Sequence, residues 1–265
     1  MTKLIFRGFI ILFFSLYIPL QSMAWGMLGH RIVVQIAESY LTDKAKAEIK
    51  KILGNETIAM ASNWSDFIKS DTNMKYLDPW HYVNAPKDLS LQQYKDFIDK
   101  DTTVNAYNRL NFLMAQLKKK NLPKAEKVFC LKMLIHVAGD MAQPLHVSAE
   151  GTRGGNDVKL NWFSTPTNLH SVWDSYLIEH QQLSYTEYAK AINFTTAAQR
   201  REIQKGRLSD WLYDSYVIAQ QLHNELPAPN PRLGYEYNYT HLALLNQQLL
   251  KGGVRLAAIL NNIFK

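Results

Sequence analysis

Apolar residues recur at helical spacing along most of the chain, and alternating, strand-like patterning is scarce. "HRIVVQIAESYL" (30–41) carries the spacing clearly. "TDKAKAEIKKILG" (42–54) adds a threonine cap at its start and a glycine stop at its end. "ETIAMASNWSDFIK" (56–69) is a third helical candidate, and residues 104–120 and 124–142 read as two long helices joined at "NLP". Segments 168–182, 197–226 and 238–263 complete the set, the last interrupted by Gly252-Gly253. "NDVKLNWF" (156–163) is the best candidate for a short hairpin arm. Residues 82–103 and 147–165 read as loops, long for a compact helical domain. The pattern predicts an all-α, single multi-helix domain with at most a short β-hairpin.

The first 24 residues depart from this pattern. Lys3 and Arg7 precede an apolar run of 12 residues, "FIILFFSLYIPL", which is short for a membrane span. Ser22-Met23-Ala24 then supplies the small residues a signal peptidase reads. A signal peptide over 1–24, cleaved before Trp25, and a working domain over 25–265 are expected. The product would be exported, periplasmic or secreted, with no membrane contact after cleavage. Later segments offer no further long apolar run.

Composition narrows the chemistry. At 265 residues and 47% hydrophobic, the chain is ample for a packed core. Its single cysteine, Cys130, excludes an intrachain disulfide and sits on an apolar helical stretch, as a buried free thiol would. Removal of the first 24 residues leaves 28 basic against 23 acidic residues, a mild bias towards a polyanionic partner. No stable protein partner is implied.

The segment "LIHVAGDMAQPLH" (134–146) sets His136, Asp140 and His146 into an otherwise apolar stretch. His136 and Asp140 stand four apart and share one helix face. Pro144 ends the helix, which frees His146 to turn back. His170 and Asp174 repeat the four-residue spacing, and Asp66, His81 and His30 bring further donors. Imidazole and carboxylate are ligands that zinc accepts. Eight such side chains fill two four-ligand sites, or serve three ions if a carboxylate bridges and the N-terminal residue contributes. His180, His223 and His241 have no acidic partner at helical spacing.

"WGMLGH", "WSDFIK", "WHYVNA", "HVAGDMAQPLH", "GGNDVKL" and "NLHSVWD" occur in that order. Together they resemble the exported, zinc-dependent, single-strand-specific nucleases that release 5′-mononucleotides. Zinc-dependent bacterial phospholipase C is a more distant relative. The resemblance covers most of residues 25–180 and implies an almost all-helical domain with three zincs (Zn²⁺) in a cleft. It implies that Asp66, His81, His136 and Asp140 hold the first zinc. Asp140 would bridge to a second, held also by His30 and by the amine and carbonyl of Trp25. His146, His170 and Asp174 would hold the third. Asp66, Lys69 and Asp140 would be catalytic, with Lys69 facing the phosphate, and a zinc-bound hydroxide would attack phosphorus. Tyr82, Asn84 and Asn156 match base-pocket positions. The implied substrates are single-stranded DNA, RNA and 3′-nucleotides. Fungal members carry disulfides that this chain cannot make, and an aspartate and a phenylalanine where it has Asn84 and Tyr82. A zinc phospholipase C and a non-catalytic zinc- or nucleic-acid-binding protein are the alternatives.

Overall fold

The computed structural model describes residues 25–226 and 229–265. The expected signal peptide lies outside the described residues. The architecture is all-α, with two small sheets beside the helices. No helix among the described residues is long and apolar enough to cross a membrane.

Helix α1 (Met27–Glu38) buries His30, Ile32, Val33, Val34 and Ile36. Helix α2 (Asp43–Leu53) starts where the Thr42 side chain accepts the Ala45 N–H, and it stops at Gly54, whose φ is 68°. The predicted helix over 56–69 is broken into α3 (Ile58–Ala61), α4 (Trp64–Phe67) and a 3₁₀ turn. A long 3₁₀ segment, Thr72–His81, leads into strand β1 (Val83–Ala85).

The two predicted loops contain structure. Helix α5 (Leu91–Lys100) occupies 82–103 and opens with a capping box between Ser90 and Gln93. It buries only Tyr94 and Ile98, too thin a stripe for periodicity to reveal. Helices α6 (Ala106–Leu117) and α7 (Lys124–Asp140) follow. Within 147–165 lie strand β2 (Val147–Ala149) and β3 (Lys159–Trp162), and β4 (Thr165–Asn168) continues past it. The predicted hairpin arm is β3, paired antiparallel with β4.

The predicted helix over 168–182 is continuous but changes pitch. Short α8 (Leu169–Ser171) and α9 (Leu177–Glu179) flank a π-helical turn, Val172–Tyr176. Helix α10 (Tyr185–Ile192) carries a capping box between Ser184 and Glu187 that the pattern did not predict. The predicted helix over 197–226 is two, α11 (Ala197–Ile203) and α12 (Leu208–Asn224), parted near Gly206 at φ 85°. Strand β5 (Arg232–Leu233) runs parallel to β3.

Helix α13 (Tyr235–Ile263) runs unbroken through Gly252-Gly253, contrary to the predicted interruption. These glycines serve packing. A Cβ on Gly253 would stand 2.5 Å from Ile36 Cγ2, and one on Gly252 would stand 2.8 Å from Ala142 Cβ. The bare backbone lets α13 lie directly against α1 and the end of α7. Helix α7 has buried residues on every side, among them Leu131, Leu134, His136 and Asp140, which marks it as the central helix.

Candidate metal centre

Every imidazole and carboxylate of the predicted set converges at the C-terminal half of α7. Three groups bring donor atoms close enough to share an ion: His30, Asp66 and His136; His81, His136 and Asp140; and His146, His170 and Asp174. All eight side chains are buried.

The supporting elements explain the convergence. Asp140 sits one turn after His136 on α7 and shares its face. Its Oδ1 lies 3.2 Å from His30 Nε2 on α1, and its Oδ2 lies 3.0 Å from His81 Nδ1 and 3.4 Å from His136 Nε2. Gly139 clears the way for His30, because a Cβ there would stand 2.8 Å from His30 Nδ1. His30 also stacks on His136, with ring centroids 4.0 Å apart. After α7, Gln143 and Pro144 turn the chain so that His146 leaves the line of the helix. Strands β1 and β2 then pair in parallel, Val83 opposite Val147, and fix the segments that follow His81 and His146.

Hydrogen bonds set the imidazole tautomers. His136 Nδ1 donates to the Ser62 carbonyl at 2.7 Å, His146 Nδ1 to the His81 carbonyl at 2.6 Å and His170 Nδ1 to the Gly154 carbonyl at 2.6 Å. A carbonyl can only accept, so each Nδ1 carries a proton; burial keeps His136 and His146 neutral with a lone pair on Nε2, whereas at His170 burial is outweighed by Asp174, which raises the imidazole pKa. His81 is reversed: its Nε2 contacts Ser65 Oγ at 3.2 Å, and its Nδ1 faces Asp140.

The electrostatics suit ligation. Burial holds His81 and His146 well below the ordinary imidazole range and His30 at about 4, so all three are neutral donors at pH 7. Burial drives Asp140 well above the carboxylate range. Burial also raises the Asp66 carboxyl, but His136 and Lys69 outweigh it and leave a net lowering. His30 Nδ1 and Nε2, Asp140 Oδ1, His146 Nε2 and Asp174 Oδ2 are buried without a hydrogen-bond partner among the described residues. Such unpartnered polar atoms are costly, and a cation would accept the lone pairs among them, so the donor set fits divalent metal.

Trp25 is fully buried, and the next residue's N–H donates to the Asp174 carbonyl at 2.7 Å. The segment at Trp25-Gly26 is thereby tied to the helix that carries Asp174. The candidate ligand side chains His81, His146 and His170 line a cleft of about 580 Å³, together with Lys69, Tyr82, Asn84 and Asn156. Lys69 Nζ is 2.5 Å from Asp66 Oδ1. His180, His223 and His241 lie outside these metal groups, and His241 pairs instead with Glu225 at 2.6 Å.

Sequence reasoning missed the residues behind the ligands. Gln143 is fully buried and donates from Nε2 to Asp174 Oδ1 at 2.5 Å, while its Oε1 accepts the Leu145 N–H. Its place between Asp140 and His146 was the available signal. The Ser62 and Gly154 carbonyls carried no signal in their side chains.

An all-helical scaffold with three adjoining His/Asp groups beneath an open cleft has the make-up of a metal-binding protein. Residues 25–265 match the S1/P1 nuclease family model, and the chain belongs to that family and is a nuclease. It is 30% identical to Endonuclease 4 of Arabidopsis thaliana, covering 92% of this chain and 90% of the relative. It is 26% identical to Nuclease S1 of Aspergillus oryzae, covering 90% and 91%, and 26% identical to Nuclease P1 of Penicillium citrinum, covering 90% and 97%. Among solved structures, the alpha toxin from Clostridium absonum aligns with a TM-score of 0.49 and 15% identity, over 92% of this chain and 65% of the toxin.

Proposed function

We propose that this nuclease is exported, begins at Trp25, and at a site for three zinc ions hydrolyses single-stranded DNA and RNA to 5′-phosphate products and 3′-nucleotides to nucleoside and phosphate. The observation that carries the reading is the set of three donor groups beneath a cleft walled by Lys69, Tyr82, Asn84 and Asn156.

Asp66, His81, His136 and Asp140 would hold one zinc. Asp140 reaches from there to His30, and with His30 and the amine and carbonyl of Trp25 it would hold a second. His146, His170 and Asp174 would hold the third. When bound, zinc lowers the pKa of water towards about 7 and neutralises charge on a phosphoryl group. The chain's own groups orient the reaction. Lys69, pinned by Asp66, sets a positive charge beside the scissile phosphate. Tyr82, 42% exposed at the cleft, offers a face on which an unpaired base stacks, while Asn84 and Asn156 offer amides to its edge. Water oxygen adds to phosphorus, the bond from phosphorus to the 3′ oxygen breaks, and that oxygen leaves with a proton. A base held in a duplex cannot reach Tyr82 without unstacking, which favours single strands.

The test is a zinc count on protein beginning at Trp25, with assays on single-stranded and duplex DNA, RNA and 3′-AMP. Three zincs, faster cleavage of single strands and 5′-phosphate ends are expected. Equal rates on blunt duplex, 3′-phosphate ends, or phosphocholine release from lecithin without nuclease activity would overturn the reading.

A further inference from the structure

We propose that Lys75, Arg153 and Lys159 form a second phosphate subsite in the cleft, which grips the strand phosphates flanking the scissile one. The inference rests on the nuclease reading above and adds to it a preference for strands over mononucleotides.

The three cations occupy the cleft walls. Lys75 lies on the 3₁₀ segment Thr72–His81, which ends at His81. Arg153 lies in the glycine-containing turn after β2, and Lys159 begins β3. Lys69, the remaining basic residue of the cleft, is committed to Asp66. Lys75 and Lys159 have no carboxylate partner among the described residues, and Lys159 Nζ instead donates to the Asn156 carbonyl at 3.0 Å. Arg153 pairs only with Asp157, at 3.3 Å, and both side chains are largely exposed. An exposed pair of this kind is weak and yields to a better anion. Asp78 and Asp157 are the acidic groups on the walls. They leave the cations in excess before any metal charge is added.

The turn around Arg153 is built. Arg153 has φ 45°, and Gly154 and Gly155 follow at 61° and 82°. A non-glycine residue in the left-handed region carries strain that surrounding contacts must hold. Here the hold comes from the metal site, because the Gly154 carbonyl accepts from His170 Nδ1. A Cβ on Gly154 would stand 2.5 Å from the Leu145 carbonyl, so the loop has no room to relax there. Arg153 is thus carried at a fixed offset from His170. A substrate with one phosphate uses only the scissile position, whereas a strand presents its next phosphates to these cations.

The test compares the zinc-loaded parent with a triple variant, Lys75→Ala, Arg153→Ala and Lys159→Ala, on a short oligothymidylate and on 3′-AMP across a salt series. The expected result is a rise of about tenfold in KM for the oligonucleotide at low salt. The log–log salt slope should shrink by about 2, at ~0.7 per lost single-strand contact. KM and kcat for 3′-AMP, zinc content and melting temperature should stay at parent values. Lys75→Glu alone should exceed Lys75→Ala, and Arg153→Lys should retain most of the binding. An unchanged oligonucleotide KM and salt slope would overturn the subsite, as would equal losses on both substrates. A parent that cleaves neither substrate would overturn the nuclease reading and this proposal with it.

Discussion

The Gln143 side-chain amide stands 2.5 Å from Asp174 Oδ1, with both residues buried. It fixes which carboxylate oxygen remains for a metal, because Oδ2 lies 3.0 Å from His170 Nε2. Gln143→Ala should therefore weaken zinc at the His146–His170–Asp174 group by about 10- to 100-fold, the usual cost of losing a group that orients a ligand. Competition with a calibrated chelator measures this. Parent affinity in the variant would refute an orienting role.

Removing metal should cost stability as well as activity. The site holds several orphaned donors and like-charged carboxylates that only a cation reconciles. A strong chelator should abolish cleavage and lower the melting temperature, and added zinc should restore both. A metal-free preparation with parent activity would end the metal reading.

Asp140 contacts His30, His81 and His136 at once. Asp140→Asn keeps its shape and removes its charge. The variant should bind the two neighbouring zincs poorly and lose more activity than Lys69→Ala, which should retain all metal. Zinc content is read by mass spectrometry or atomic absorption. Equal content in Asp140→Asn and parent would show that Asp140 does not bridge.

A free amine at Trp25 exists only if nothing precedes it. Trp25 is fully buried, and Gly26 is bonded to Asp174, so extra residues would have to thread out beside the ligands. With a reference pKa near about 7.7–8.0, the amine can yield its proton to zinc at neutral pH. A form extended by one Met should carry less zinc and cleave more slowly than one beginning at Trp25. Matching zinc content and rates in the two forms would remove Trp25 from the ligand set.

The α1–α13 contact should be sensitive to a single methyl group. Gly253→Ala places Cβ against Ile36 and the Val33 carbonyl, so it should destabilise by about 1–3 kcal/mol through overpacking. Urea unfolding checks this. An unshifted midpoint would mean that the seam can open without penalty.

The clustered histidines and aspartates were legible as a candidate site because chemistry repeats there: two four-residue His/Asp spacings and a histidine just past a helix-breaking proline. Helix α1 was legible from its wide apolar stripe, and α2 from the threonine cap and glycine stop at its ends. Helices α5 and α10 were not, because each buries only two residues and is set by a capping box. Gly252-Gly253 misled because a glycine pair in sequence signals a stop, while its packing use depends on Ile36, more than two hundred residues away. The backbone carbonyls that hold the histidines are invisible to any reading of side chains.

That same glycine seam has a consequence in time. Helix α1, which carries His30, is clasped by the final helix of the chain, and Gly252 also meets Ala142 just beyond Asp140. A growing polypeptide that has already emitted every donor residue still lacks the clamp that holds two of them in place. The positions of His30 and Asp140 therefore lean on the part of the chain that is made last.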